Sequence, residues 1–399
     1  MDATGALPAD DIVRTIFNTY THTGYKPFTP NQFTILAAFF LFRPSSDGTP
    51  STEVKVISLG TGTKCLPTSH LPLHGEGLHD SHAEVVARRG AIRWLLEEIA
   101  RMTSAPAHSS DWLTWLADGK YDIRDGVQVG MYVSTLPCGD ASTRFLAAAP
   151  QDPEMAALKD SAVRPVGDPH TAARGRDDYA LVGVLRTKPG RADAPPTLSM
   201  SCSDKIAMWN VLGFQGGLAA LLIRPLYIKH IIIGGVPQDE QPSILEDCDR
   251  ALWRRAGLSA RQPAISFTSL EFVHSRASLS SSLGTLCNTS SNESLCWIAD
   301  SALLREIIVN GYKRGVPPKH QLRTPLLPRI SKLALFRLYA SLRPVPLRKT
   351  YFDVKQSAHE YQAAKLALIG PGGGLHGWKY CGAPWQSFDV EAEIIREGE

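Results

Sequence analysis

The 399-residue chain lacks any apolar run long enough to cross a bilayer; the longest, Phe33 to Phe42, falls well short of the roughly 20 residues that a spanning helix needs. It also lacks a secretory leader pattern, because Met1-Asp2-Ala3-Thr4 leads into acidic residues, so the expectation is a soluble protein of the nucleus or cytosol with no membrane partner. Charge of neither sign dominates. The 42 Lys and Arg against 39 Asp and Glu leave +3, too little for composition to announce a nucleic-acid partner. The seven cysteines are odd in number and show no paired spacing, which argues against a disulfide framework and for a reducing compartment. There is no Cys-x-x-Cys anywhere and no internal repeat.

What is present begins with His82-Ala83-Glu84, followed by Ser134-Thr135-Leu136-Pro137-Cys138-Gly139-Asp140 and Ser201-Cys202-Ser203-Asp204-Lys205. One imidazole, two thiolates and an unligated carboxylate are the parts of a hydrolytic zinc site. Zinc with three protein ligands keeps a fourth position for water and lowers the pKa of that water from about 15.7 to about 7. Hydroxide then exists at neutral pH, and Glu84, two residues from the ligating His82, is placed to take the proton of the bound water and hand it to a ring nitrogen and the leaving ammonia. Singly the pieces say little, since a cysteine in an intracellular chain is most often an inert core residue. Their conjunction at three helix starts carries the reading. Val85, Ile92, Leu95, Leu96 and Ile99 recur at helical spacing after Glu84; Pro137-Cys138-Gly139 turns from an apolar strand into a helix; Cys202 precedes the helical stretch Ile206 to Leu212. Helix N-termini favour thiolate over thiol. Cys202 as third ligand is an inference from this motif, because common zinc deaminases pair their cysteines on one turn.

Elsewhere Ile12 to Tyr20 reads as an amphipathic helix, and Phe33 to Phe42, Val54 to Leu59 and Tyr227 to Gly234 as strands. Helices are expected near 243–256, 301–312, 331–341 and 358–368, and irregular stretches over 147–178 and 275–294. Strands alternating with helices through the first two-thirds argue an α/β sandwich with a mixed sheet.

These motifs, with Arg88-Arg89, Ile206-Ala207 and Glu360-Tyr361-Gln362-Ala363-Ala364-Lys365, resemble the deaminase domain of the adenosine deaminases acting on RNA and their tRNA relatives, from about Asp11 to Phe388. In that family the two cysteines are widely split. The resemblance implies a cytidine-deaminase-like three-layer α/β/α core with a mixed sheet, extended by a helical C-terminal half. It implies one domain over 1–399, with the catalytic core at about 50–235 and a C-terminal extension at about 236–390. The tRNA-acting branch is the nearer likeness, because the deaminase pattern starts almost at Met1 and leaves no room for a double-stranded-RNA-binding domain. Its implied target is adenosine 37 in the anticodon loop of alanine tRNA, acted on by a monomer.

The resemblance further implies a buried inositol hexakisphosphate. Position by position, the matching residues are Lys64, Arg88, Arg89, Lys205, Trp209, Gln215, Lys332, Tyr351, Lys355, Tyr361, Lys365 and Trp378. Met208 stands where editing enzymes have arginine and His79 where they have asparagine, and their Glu-Lys pair after Trp378 is missing. Asp80 and Lys188, with Lys205, match a relay joining the polyanion to the zinc cysteine, and Thr63 matches a position near the target ribose. Independently of any family, Tyr361 and Lys365 share a helix face, and buried cations cost several kcal/mol each unless paired. A polyphosphate would pair several, whereas the bland reading is solvated surface charge. The loop that editing enzymes insert into a duplex corresponds to Pro189 to Pro196 and has no matching Glu-Gly, so their mode of base flipping is not expected; an anticodon loop offers bases already unstacked. Three readings stay open: a tRNA adenosine deaminase or the deaminase domain of an mRNA-editing relative, a base or nucleoside deaminase with another substrate, and an inactive RNA-binding subunit. Glu84 argues against the last, since a structural zinc has no use for it.

Overall fold

Strand β1 (Leu36–Arg43) explains the layering. Every residue of Leu-Ala-Ala-Phe-Phe-Leu-Phe is buried, and because successive strand side chains point to opposite faces, both faces must be covered. Leu36, Ala38, Phe40 and Phe42 pack with Ile12, Val13, Ile16 and Tyr20 of the amphipathic helix α1 (Ala9–His22). Ala37, Phe39 and Leu41 pack on the other side with Val86, Ala87, Ala91 and Leu95 of α2 (Ala83–Ser104). A strand buried on both faces reads as a continuous apolar run rather than an alternating one, which is why Phe33 to Phe42 stands out in the sequence. The computed structural model describes residues 8–44, 53–104, 109–148, 172–175, 181–188, 194–258 and 261–396.

Around β1 the main sheet has eight strands. On one side β1 pairs antiparallel with β5 (Gln128–Val133), which runs parallel to β6 (Ile228–Ile233), itself parallel to β7 (Ala264–Phe267). On the other, β1 pairs antiparallel with β2 (Glu53–Thr61), then β8 (Glu293–Ile298), β9 (Arg305–Val309) and β10 (Tyr312–Lys313) follow, all antiparallel. A separate ribbon pairs β3 (Thr63–Cys65) with β4 (Asp80–His82). The architecture is thus α/β with a mixed sheet, and between Lys332 and Ile369 the chain forms three helices: α7 (Lys332–Leu342), α8 (Tyr351–Gln356) and α9 (His359–Ile369). Among the described residues no helix is long and apolar enough to cross a membrane.

Two expectations are corrected. The sequence predicts helix over residues 301–312, but they form β9 and the turn into β10. Ile307, Ile308 and Val309 fit either period; pairing with β8 decides, and Asn310-Gly311, both at positive φ, make the two-residue hairpin turn. The stretch 275–294, read as loop, holds α6 (Arg276–Leu283), whose N-terminus is capped by the Ser275 side chain, and the start of β8. Most of 147–178, and 189–193 of the loop read at Pro189 to Pro196, lie outside the described residues.

Candidate active site

Helix α2 presses its first turns on β2. A side chain at Gly60 would meet Ala83 O and Ala87 N at 2.5 Å each, and Ser58 Oγ donates to Ala87 O at 2.7 Å. His82 is the last residue of β4 and Ala83 the first of α2, so Glu84 lies in the first helical turn, buried. Asp80 fixes the imidazole: its Oδ1 accepts from His82 N at 2.9 Å and lies 2.9 Å from ring Nδ1. The same ring hydrogen bonds to the Cys138 sulfur.

Cys138 follows β5 on a turn that leads through Asp140–Ser142 into α3 (Thr143–Ala148). Cys202 is the first residue of α4 (Cys202–Leu212), whose capping Ser201 side chain accepts from Asp204 N. Cys202 N donates to Cys138 Sγ at 3.4 Å, and Lys188 Nζ lies 3.2 Å from Cys202 Sγ. The Cys138 thiol is held well below the usual thiol range, chiefly by its hydrogen bond with the Cys202 sulfur, with Lys188 and His82 adding to it. Burial, and then the neighbouring Cys138, push the Glu84 carboxyl upward, and its Oε2 is buried without a hydrogen-bond partner. Among the described residues no three His, Cys, Asp or Glu side chains stand at metal-holding geometry; His82, Cys138 and Cys202 meet in contacting pairs instead. Their donor chemistry, an imidazole oriented by a carboxylate, two thiols and an orphaned carboxylate oxygen, suits a three-ligand zinc.

Asp80 leads away from this centre. Its Oδ2 takes Lys188 Nζ at 2.8 Å and is ion-paired with Lys205, so Lys188 bridges the carboxylate and the Cys202 sulfur. Behind Asp80 opens a cavity of ≈ 290 Å³ lined by His79, Asp80, Arg89, Lys332, Lys355 and Lys365 among others. Arg88 adjoins it, stacked over the Trp209 ring at 5.0 Å and within electrostatic reach of Tyr361 and Tyr351. Burial lowers Lys332 to about 7, Lys355 and Lys365 to about 8 and Arg88 to about 10, and neighbouring cations push the same way. His79 falls to about 2 through burial and Lys332. Among the described residues no ion pair joins Arg88, Arg89, Lys332, Lys355 or Lys365 to a carboxylate, and Arg89 Nη2 is buried with no hydrogen-bond partner.

The adenosine-deaminase (editase) domain model matches residues 58–379. The chain belongs to the adenosine-deaminase (editase) family. It is a hydrolytic adenosine deaminase by that membership. The chain is 32% identical over 381 residues to the tRNA-specific adenosine deaminase 1 of Drosophila melanogaster, covering 87% of this chain and 88% of the relative. It is 30% identical over 321 residues to the protein of that name from Schizosaccharomyces pombe, covering 76% and 78%. The double-stranded RNA-specific editase Adar of Drosophila melanogaster is 34% identical over 194 residues, covering 47% of this chain and 28% of the relative.

In this editase the structure does not gather every residue of the expected polyanion set. Lys64 Nζ donates to Ser290 Oγ at 2.9 Å, away from the cavity walls. Gln215 spends its amide on Leu212 O and Leu226 N, bracing a turn at Gly213. Trp378 packs at the edge of an apolar cluster around Met200 and Leu375. Tyr351, by contrast, is gathered: buried and stacked on Phe388, it carries Lys355 Nζ 5.0 Å from its ring centroid. Thr63 is paired in register with His82 and its hydroxyl faces Ser291 O at 3.5 Å. His79, a departure from the family pattern, has Lys332 Nζ at 3.2 Å and Cys381 Sγ at 3.1 Å on its two ring nitrogens. Sequence reasoning missed Gln386, whose Oε1 accepts from Lys355 at 2.6 Å, and the buried carboxylates Asp140 and Asp204. Only the recurrence of Cys-x-Asp at both cysteines could have pointed to those carboxylates.

Proposed function

We propose that the chain, working as one deaminase domain, hydrolyses adenosine to inosine in tRNA, and that its target is adenosine 37 of alanine tRNA. The observation that carries the chemistry is Glu84, a buried carboxyl with one oxygen left unpaired beside two thiols and an imidazole. The tRNA assignment is supported by the extent of the likeness: relatives named tRNA-specific match over most of both chains, while the double-stranded-RNA editase matches under half of this one. The position within alanine tRNA rests on the motif resemblance to the tRNA-acting branch.

His82, Cys138 and Cys202 would hold zinc, which supplies a Lewis acid that acidifies water. Glu84 takes one proton of the attacking water on its free oxygen and delivers it to the ring nitrogen beside the reacting carbon; it then takes the second proton from the hydroxyl now on that carbon and gives it to the amino group, which leaves as ammonia while the carbonyl forms. Asp80 orients the His82 ring, and Lys188 holds a positive charge at the Cys202 sulfur, so the site keeps its geometry while charge moves. The cavity behind Asp80 would hold inositol hexakisphosphate against Arg89, Lys332, Lys355 and Lys365, with Arg88 beside them, which gives these cations the counter-charge that the protein does not provide. RNA contact follows from the substrate, in the nucleus or cytosol.

The test is incubation of the full chain, supplied with zinc and inositol hexakisphosphate, with an alanine tRNA transcript, reading inosine as A-to-G on sequencing. Conversion at position 37 is expected. Inosine elsewhere with none at 37 overturns the target, and no inosine in any tRNA overturns the substrate class.

A further inference from the structure

The two cysteines stand 64 positions apart. Where both lie on one turn, the peptide between them fixes the separation of the sulfurs; here something else must. Each cysteine is followed two residues later by an aspartate, in Cys138-Gly139-Asp140 and Cys202-Ser203-Asp204, and both aspartates are fully buried. One guanidinium reaches both. Arg255 pairs through Nη2 with Asp204 Oδ1, and its Nε lies 3.9 Å from Asp140 Oδ2, where Arg250 Nε from the same stretch of chain stands closer at 3.2 Å. The other bonds of Arg255 anchor it: Nε donates to Ala251 O at 2.9 Å, at the end of helix α5 (Gln241–Leu252), and Nη1 to Val184 O at 3.1 Å.

The segment around Val184 repeats the same joint. Gly183 N donates to Asp140 Oδ1 at 2.7 Å, Arg186 N to Asp204 Oδ2 at 2.9 Å, and Lys188 reaches the Cys202 sulfur. The turns also touch directly, since Ser203 Oγ donates to Cys138 O at 2.9 Å, and a side chain at Gly139 would strike Ser201 Oγ at 2.1 Å. Two buried carboxylates are tolerated only when paired, and a planar, rigid fork can serve two acceptors at fixed spacing where an ammonium on a flexible stem cannot.

We propose that Arg255 is a positioning residue that sets the separation of the Cys138 and Cys202 sulfurs by pairing with Asp204 while lying against Asp140 beside Arg250. This rests on reading His82, Cys138 and Cys202 as the zinc ligands. The joint stands in for the short peptide that joins paired cysteines elsewhere, and it acts on the metal without touching it.

The test uses the full chain loaded with zinc, following release to a chromogenic chelator, and the same chain loaded with cobalt(II), whose near-ultraviolet thiolate-to-metal band reports the two sulfurs. Arg255→Met is expected to release zinc roughly 10–100-fold faster and to weaken the cobalt band, with Arg255→Lys restoring part of both. Arg224→Met, which breaks an exposed pairing with Asp118, should change neither. Arg255→Met that melts like the parent, releases zinc at the parental rate and keeps the full cobalt band overturns the proposal. If Arg255→Met does not fold, Arg255→Lys and Asp140→Asn are combined. A double variant no faster than the faster single supports a shared joint, and multiplied effects overturn it. A parent chain with no thiolate band in cobalt overturns the zinc reading itself, a result distinct from an unchanged Arg255→Met.

Discussion

Asp80 separates two buried charge centres that are built in opposite ways. On the cysteine side the protein supplies both signs: Asp80 faces Lys188 and Lys205, and Asp140 and Asp204 face Arg250 and Arg255. On the cavity side Arg88, Arg89, Lys332, Lys355 and Lys365 crowd together with no carboxylate paired to them among the described residues, and burial drags the pKa of Arg88 and of the lysines down. A self-neutral network holds its geometry without help, whereas an unneutralised one is costly until a polyanion arrives. The first is suited to orienting ligands for chemistry and the second to making the fold depend on a ligand. The two should therefore respond oppositely to substitution.

The largest effect is expected at Glu84. Glu84→Ala should lower deamination by about 10²–10⁴-fold, the usual worth of a positioned proton carrier, while the melting temperature does not fall, because the lost carboxylate oxygen is buried without a partner. Single-turnover assays beside thermal melts check this; activity within a few fold of the parent would sink the proton-shuttle role. Next comes Lys188→Met, which strips the Cys202 sulfur of its cation and leaves Asp80 Oδ2 with Lys205 as its ion-pair partner. A loss of roughly 10–100-fold in zinc retention, measured by chelator competition, is expected. Unchanged retention would break the link between Asp80 and the cysteine.

How much of this the sequence disclosed depends on whether the signal is local. The His82 helix, the Cys138 turn and the Cys202 cap are each set within a few residues, and the sequence reading places all three at element boundaries. β1 was legible because burial on both faces leaves an unbroken apolar run. β9 was not, since Ile307 to Val309 fits two periods and its partner strand is remote, although Asn310-Gly311 was there to be read as a hairpin turn. Likewise Arg255 carries no local mark; it matters only through two aspartates that folding brings to it. In the cavity, Lys332, Lys355 and Lys365 were reached through resemblance, while Lys64 and Gln215 show that a matched position can still be spent elsewhere in the structure.

The cavity gives the third comparison, in which pH reverses sign. Without a polyanion, folded Lys332 titrates near 7 and Lys355 and Lys365 near 8, against 10.5 in the ordinary state. The unfolded chain then binds more protons than the folded one between these values, so the stability of the stripped protein should rise with pH from about 7 toward 10.5. With inositol hexakisphosphate bound, the phosphates hold the same lysines protonated and raise their folded pKa above the ordinary value. That added stability is complete below the ordinary value and is lost as pH rises through the folded pKa. Melts at pH 7 and pH 9, with and without the polyanion, should show a rise in the stripped protein that is absent or reversed in the loaded one; parallel slopes would remove the cavity from consideration as a polyanion site.

The smallest and most discriminating change is Lys332→Met, which deletes one buried charge that His79 and Trp385 O meet only with neutral groups. In the stripped chain at pH 7 the substitution should raise the melting temperature by relieving repulsion among Arg89, Lys332 and Lys355, whereas in the loaded chain it should lower it, because a phosphate contact is lost. Lys188→Met cannot show this inversion, since its partners belong to the protein and are present in both states. If Lys332→Met lowers the melting temperature equally with and without the polyanion, the cavity cations are held by the fold itself, and the contrast between the two charge centres fails.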